Sequence, residues 1–467
     1  MKKKKLLIAI GLLLVLLILK IVLLLTAEPK ITVDYVAEYN RITCPENYDP
    51  NDNAAPYYQK AFDAFVEMPK ELQEVPYIIG WVADFNNTEQ ALLEKWLVSN
   101  TLAFEYFKIA ANKPYYWLEV DEYFNKYNFS LKCLTDAILW NAKLEASEGR
   151  LQTAFENIID CYKAGWQKCR TPSLLTEQKV GLEIKLDAVC GTMVILDRAQ
   201  LDSMSLKSFN DALQTEFNND TYVLDFAADK LFCYDGLQRS FVYNGKGTGR
   251  LAFCKIKNFL ALCGEEYNRK VFLSCFIGPT ESEMVKRIEE LFASFEPVTT
   301  ETPWQLHTQE PGYLEKIDIT CYKDPFLGMY APSPRREFSL YHLVKAKTEA
   351  LIAIAAILRF KTDKGQFPAT LDEVVSSGYL ESVPMDPYSD GLLVYKLTED
   401  NFKLYSVGED FIDDNGETNV KTDNEPRRDI LFWPVRRLEN LREKSEKQKA
   451  EREAKARKEL EEANHPE

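Results

Sequence analysis

The side chains best suited to chemistry lie late in the chain, where Glu409, Asp410, Asp413, Asp414 and Asn415 crowd oxygen donors beside Gly416. Hard cations such as calcium take about six to eight oxygens, some of them backbone carbonyls. The spacing is not that of an EF-hand, whose loop of about twelve residues closes on a glutamate. The same run also suits a solvated turn, because Asp and Asn bond their own backbone and Gly tolerates left-handed torsions. A second group comprises Tyr115, Tyr116, Trp117, Tyr123, Phe124, Tyr127 and Phe129, beside Glu119, Asp121 and Glu122. Such aromatics serve a carbohydrate or peptide groove or an ordinary core. The acids would act as a glycosidase pair only at separations of about 5–10 Å. In a third group, Asn244-Gly-Lys-Gly-Thr-Gly-Arg250, Lys246 and Arg250 accompany either an anion-binding backbone nest or a flexible interhelical turn. It lacks the Gly-x4-Gly-Lys-Ser/Thr spacing of a nucleotide loop. Histidine is limited to His307, His342 and His465, with no His-x-x-x-His and no Gly-x-Ser-x-Gly, so a zinc hydrolase or serine triad has little support.

The acidic run needs elements to hold it. Thr370 followed by Glu373 forms a capping box, and Gly378 supplies a left-handed stop, so Leu371 to Ser377 is predicted to be a short helix. Pro384 and Pro387 forbid helix. Leu392 to Leu397 and Phe402 to Val407 are rich in β-formers and flank a Thr398-Glu399-Asp400-Asn401 turn, which predicts an antiparallel hairpin. Val344, Leu351, Ile354 and Leu358 recur at helical spacing, so a helix from Ser339 to Lys361 should lie on that hairpin as an α+β unit.

Gly-x-Phe-Pro at 365–368, Pro384-Met385-Asp386-Pro387, the hairpin ending Leu404-Tyr405-Ser406-Val407-Gly408 and the acidic loop occur in an order that resembles the C-terminal globular module of the type II secretion major pseudopilins. The resemblance implies a calcium site formed by Asp410 and the carbonyl of Val407, with Asp413, Asp414 and Asn415 as additional ligands. The chain departs from that family at its start. No Gly-Phe-Thr leader followed by Glu precedes the pilin-like helix, and the hydrophobic segment lies far upstream.

That segment follows Lys2 to Lys5 and runs from Leu6 to Ala27, interrupted only by Lys20. About twenty apolar residues suit a bilayer core, and the lysines should stay in the cytoplasm. The expectation is a single-pass anchor in the inner (cytoplasmic) membrane, with the lipid bilayer as partner and the bulk of the chain in the periplasm or exterior. A cleaved signal peptide is the rival, although Leu25-Thr26-Ala27 lacks the small residue its cleavage site prefers. The formal charge of −15 over 467 residues argues against nucleic acid or an anionic lipid surface as partner. The 10 cysteines contain no Cys-x-x-Cys, so neither a zinc ribbon nor a redox pair is indicated; in an exported chain one or two disulfides at most are expected, and the cysteines on apolar helical patterns read as small hydrophobes.

From about Asp52 to Leu343 the pattern is helical. Leu131 to Ser147, then Gly149, then Leu151 to Lys168 predict a hairpin, and its Ala142, Ala146, Gly149 and Ala154 resemble a tetratricopeptide-like (TPR-like) repeat, with no fixed period along the chain. The Asp52-Asn53-Ala54-Ala55-Pro56-Tyr57-Tyr58 stretch, the helix from Asn100 to Ala111, this hairpin and the 244–250 loop together resemble uncharacterised membrane-anchored proteins of planctomycetes and related bacteria. After Pro434 a mixed-charge run suits a solvated helix. The expected fold class is therefore mainly α. A transmembrane helix occupies 1–30, an irregular helical-hairpin ectodomain 31–335, a small α+β pseudopilin-like module 336–434, and a charged helical or disordered tail 435–467. Two functions fit: a membrane-anchored extracytoplasmic scaffold or binding protein serving envelope or secretion-system partners, or an exported hydrolase acting on glycans or peptides with 115–129 in its cleft.

Overall fold

A helix-rich chain without a regular repeat must place many unlike helices and still give every connecting stretch a partner for its backbone. The structure, a computed structural model, describes residues 26–73, 80–121, 128–170, 172–220, 222–255, 277–418 and 428–435, with Val15, Val22, Val75 and Cys275. The rest of the 6–27 segment and the charged run after 435 lie outside the described residues. Among the described residues no helix is long and apolar enough to cross a membrane.

The described helices are α1 (Tyr35–Thr43), α2 (Ala55–Ala64), α3 (Asn87–Ser99), α4 (Thr101–Ala111), α5 (Asn128–Ser147), α6 (Leu151–Arg170), α7 (Leu175–Arg198), α8 (Ser203–Asn219), α9 (Ala227–Ser240), α10 (Glu281–Ala293), α11 (Pro303–Gln309), α12 (Tyr313–Lys323), α13 (Arg335–Lys364) and α14 (Leu371–Ser376), with shorter helical turns between them. The fold is mainly α, as expected. The hairpin of α5 and α6 turns on Gly149 at φ +82°, a torsion that favours glycine. Helix α6 packs against α7 at close range, because Gly165 and Gly181 face each other. A β-carbon on either would stand 2.6–2.7 Å from the carbonyl of the other.

Over residues 350–358 helix α13 is apolar on all sides, with Ala350, Leu351, Ala353, Ile354, Ala355, Ala356 and Ile357 fully buried. A stretch of helix with no polar face belongs inside a core, and α13 packs on α7 and α8 and on a small sheet. That sheet is antiparallel in the order β1 (Val394–Leu397), β2 (Phe402–Ser406), β3 (Ile430–Trp433). The hairpin pairs Leu397 with Phe402 around the expected turn. Strand β3, separated from it by a polar insert, completes the sheet, with Trp433 stacked on Phe402 at 5.6 Å. One apolar cluster runs from Tyr58, Phe107 and Ile158 through Leu351 and Ile354 to Phe402, Leu404 and Trp433, so the core is continuous across residue 336. A second cluster gathers Leu237, Ile288, Phe295, Ile317 and Phe338. The described cysteines are free thiols, five of them buried.

The connecting stretches are held by side-chain carboxamides. Asn40 donates to the Val120 carbonyl at 2.7 Å and accepts from the Val120 N–H at 3.0 Å. Asn53 does the same to Trp117, Asn100 to Val66, Gln178 to Asp225 and Gln238 to Val33. A primary carboxamide carries one acceptor and a donor pair in one plane, so it pairs with a peptide unit as a neighbouring strand would. Asn100 is fully buried and also donates to the Trp96 carbonyl. In Asn100→Asp, the Val66 and Trp96 carbonyls each lose one donor and face a carboxylate instead. Urea unfolding should show a loss of about 2–4 kcal/mol with an unchanged slope; a loss below about 0.5 kcal/mol would refute this role.

Candidate functional site

The acidic loop is built on the end of β2. Asp386, from the Pro-Met-Asp-Pro turn, is buried and accepts from the Ser406 hydroxyl, the Tyr388 N–H and the Val407 N–H at 2.7–3.0 Å. Burial raises its pKa, and those three donors oppose the shift. Asp429, also buried, accepts from the Asp414 and Gly416 amides and so closes the loop onto β3. Protein groups engage or approach the side-chain oxygens of the expected ligands. Asp413 accepts from the Tyr405 hydroxyl and the Asn415 N–H, the Asn415 carboxamide oxygen accepts from Lys396 at 2.7 Å, Asp410 accepts from the Ile412 N–H, and Arg428 lies 3.7 Å from Asp414. Val407 is tied through its amide to Asp386. Among the described residues no group of three or more His, Cys, Asp or Glu is arranged to hold a metal ion. The loop is held to the sheet by these protein contacts. Chelation with EGTA should therefore leave the thermal midpoint within about 1 °C; a fall of 5 °C or more, roughly the effect of 1 kcal/mol in a small domain, would show that an ion holds the loop.

The described members of the aromatic and acidic group, Tyr115, Tyr116, Trp117, Glu119 and Asp121, form no large cleft. Tyr115 bonds the Asp49 backbone, Trp117 donates to the Thr43 hydroxyl at 3.2 Å and packs edge-on against Tyr48, and Tyr116 lies under the Lys168 ammonium at 4.6 Å. The cavity beside them measures about 30 Å3, room for a water or two. Glu119 and Asp121 are exposed, while Glu122, Tyr123, Phe124 and Tyr127, and the side chain of Phe129, lie outside the described residues. The glycine loop is a turn: the carbonyls of Gly247 and Gly249 accept from the Ser282 and Glu281 amides at the start of α10. Its carbonyls, rather than its amides, face that helix end.

A larger cleft of about 750 Å3 opens between α8, α11, α13 and the 380–390 segment. His342, Lys345 and Glu349 line it from α13, at a spacing that places them on one helical face. His342 is buried, with neither ring nitrogen in a well-formed hydrogen bond; only the Glu301 carbonyl bears on it. Burial, aided by the Lys345 charge, lowers its pKa to about 3, so the ring is neutral at physiological pH. Burial raises the Glu349 carboxyl to about 7, partly opposed by Lys345. Trp304 forms another wall, donates its amide to the Pro387 carbonyl, and joins His307 in packing against Phe411 of the acidic loop. His465 lies outside the described residues.

None of the cleft residues drew notice as a site in the sequence, apart from His342 read as a lone histidine. The available signal was the polar trio at 342, 345 and 349 interrupting an apolar helix. Comparison with protein-family models, with curated proteins and with solved structures finds no match for this chain.

Glu349 makes a signed prediction. Its folded pKa exceeds the unfolded value of about 4.3, so the folded state binds the proton more tightly and loses stability as pH rises through about 7. Glu349→Gln should gain on the order of 1–2 kcal/mol at pH 8 and almost nothing at pH 4. Equal effects at both pH values in chemical denaturation would contradict it.

Proposed function

We propose that this chain is a membrane-anchored extracytoplasmic binding or scaffold protein, held in the inner membrane through 6–27. It presents a module resembling the type II secretion major pseudopilin, on a TPR-like helical body, to other envelope or secretion components. The observation that carries the reading is the continuous core through α13, whose apolar surface packs on α7 and α8 on one side and on the sheet on the other. A module fused in this way moves with the body as one unit, which suits presentation of a fixed surface rather than a tethered one. Tyr405, Lys396 and Arg428 engage loop oxygens and so tie the loop to the sheet.

An exported hydrolase finds less support. The described part of 115–129 packs against α1 and α2 beside a cavity of about 30 Å3, and His342 has no nucleophile in hydrogen-bonding geometry with either nitrogen.

Protease added to intact spheroplasts should degrade the body while sparing the amino terminus, and tagged full-length protein recovered from membranes should carry other envelope proteins with it. A protease-resistant body, or a chain extracted from membranes by carbonate, would defeat the topology. Recovery of the chain alone would defeat the scaffold role.

A further inference from the structure

The cleft under α13 carries unbalanced charge. Glu349, Glu381 and Asp390 line it against a single cation, Lys345. None of these four side chains makes an ion pair with a described residue. Asp386 also borders the space, but its oxygens are taken by Ser406, Tyr388 and Val407. His342, buried at one end of the same helical face, keeps both nitrogens without a well-formed partner. A carboxyl without an ion pair, and an imidazole approached only by the Glu301 carbonyl, both cost free energy in a largely desolvated wall that a ligand can recover. Two helical turns separate them, about 10 Å along the axis. A volume of about 750 Å3 matches that length.

We propose that this cleft binds a small polar molecule of roughly dipeptide or disaccharide length through a protonated primary amine, with the ammonium at Glu349, a hydrogen-bonding group at His342 and the body of the ligand along Trp304. An ammonium supplies the missing counter-charge and three donors, in a wall where acceptors outnumber donors. A neutral imidazole can give or take one hydrogen bond with a hydroxyl or amide. An anionic ligand would meet three carboxylates, and among the described residues these do not form a metal-binding group. The inference rests on the chain being a binding protein but not on its membrane topology.

Two ligand chemistries share this description, an amino sugar and a peptide amino terminus, and the test separates them. Calorimetry on the purified, detergent-solubilised full-length chain would use chitobiose and alanyl-alaninamide, each beside its N-acetylated form. At least one free amine should bind, with its acetylated partner at least tenfold weaker. Glu349→Gln should lose tenfold or more, and Glu381→Gln about two- to threefold. Because the free carboxyl titrates near 7, affinity should rise several-fold between pH 5.5 and 7 and fade in the Gln variant. The charged groups facing it are Lys345 on its own helix and Glu381 and Asp390 across the cleft. Binding by chitobiose alone assigns an amino sugar, and by the dipeptide amide alone a peptide terminus. No heat from either amine, equal binding of the acetylated forms, or wild-type affinity in Glu349→Gln each overturns the proposal. The acetylated controls need no variant, so a folding defect cannot mimic the outcome. A failed spheroplast experiment would leave these results untouched.

Discussion

An extended segment crossing a helical body has no neighbouring strand to take its N–H and C=O groups, and burying them bare would cost several kcal/mol per segment. This chain meets that constraint with carboxamides. Asn40, Asn53, Asn100, Gln178 and Gln238 each give and accept a hydrogen bond with a single residue of a stretch outside the helices and the sheet. Ser or Thr lacks the donor and acceptor in one plane, and Asp or Glu lacks the donor altogether. The consequence is positional. Gln238 holds Thr32 and Val33, just past the hydrophobic amino-terminal segment, onto α9, and Asn40 and Asn53 fix the 115–120 strip across α1 and α2. The aromatics of that strip are therefore committed to packing, which is why they line no cleft.

Ionic groups are used in a second way, as markers of register between helices. Lys185 pairs with Asp220 and Lys168 approaches Glu177, which also accepts from Tyr39, all in buried surroundings. Such pairs return little net stability, because desolvation offsets the attraction. Breaking one strands its partner, so Lys168–Glu177 penalises sliding of α6 over α7, and Lys185–Asp220 penalises sliding of α7 against the end of α8. The Gly165 and Gly181 contact acts in the same direction, since only that register brings two residues without side chains face to face.

What could be read from the sequence was local. The α5–α6 hairpin follows from periodicity around Gly149. The helix from Leu371 was predicted to end at Ser377 and ends at Ser376, and the strands around 398–401 appear with ends trimmed by a residue or two. Helix α13 runs longer than its predicted 339–361 because Pro334 can precede a first turn and Gly365 terminates it. The clamps were not readable, because Gln238 and Val33 stand 205 residues apart and a carboxamide announces nothing about its partner. Strand β3 was hidden behind an insert. The acidic loop was read from composition, which counts oxygens without saying which donors take them; Tyr405, Lys396 and the backbone amides of Ile412 and Asn415 decide that instead. The cleft escaped for the same reason as the clamps, since α8, α11, α13 and the 380–390 segment each contribute only a few side chains to it.

The acidic loop and the cleft are mechanically one assembly. Phe411 sits at φ +61°, a left-handed torsion that costs a bulky residue about 1 kcal/mol or more and persists only where the surroundings over-determine it. Here the surroundings are on the helical body: the ring lies 4.1 Å from His307 and 5.8 Å from Trp304, measured between centroids. Aromatic contacts of this kind return a comparable amount. The same Trp304 donates its amide to Pro387 and walls the cleft. Displacing the loop would therefore release α11, and with it one side of the space over His342 and Glu349. The oxygen-rich turn thus bears on the cleft through the Phe411 ring, which supports the Trp304 wall from behind.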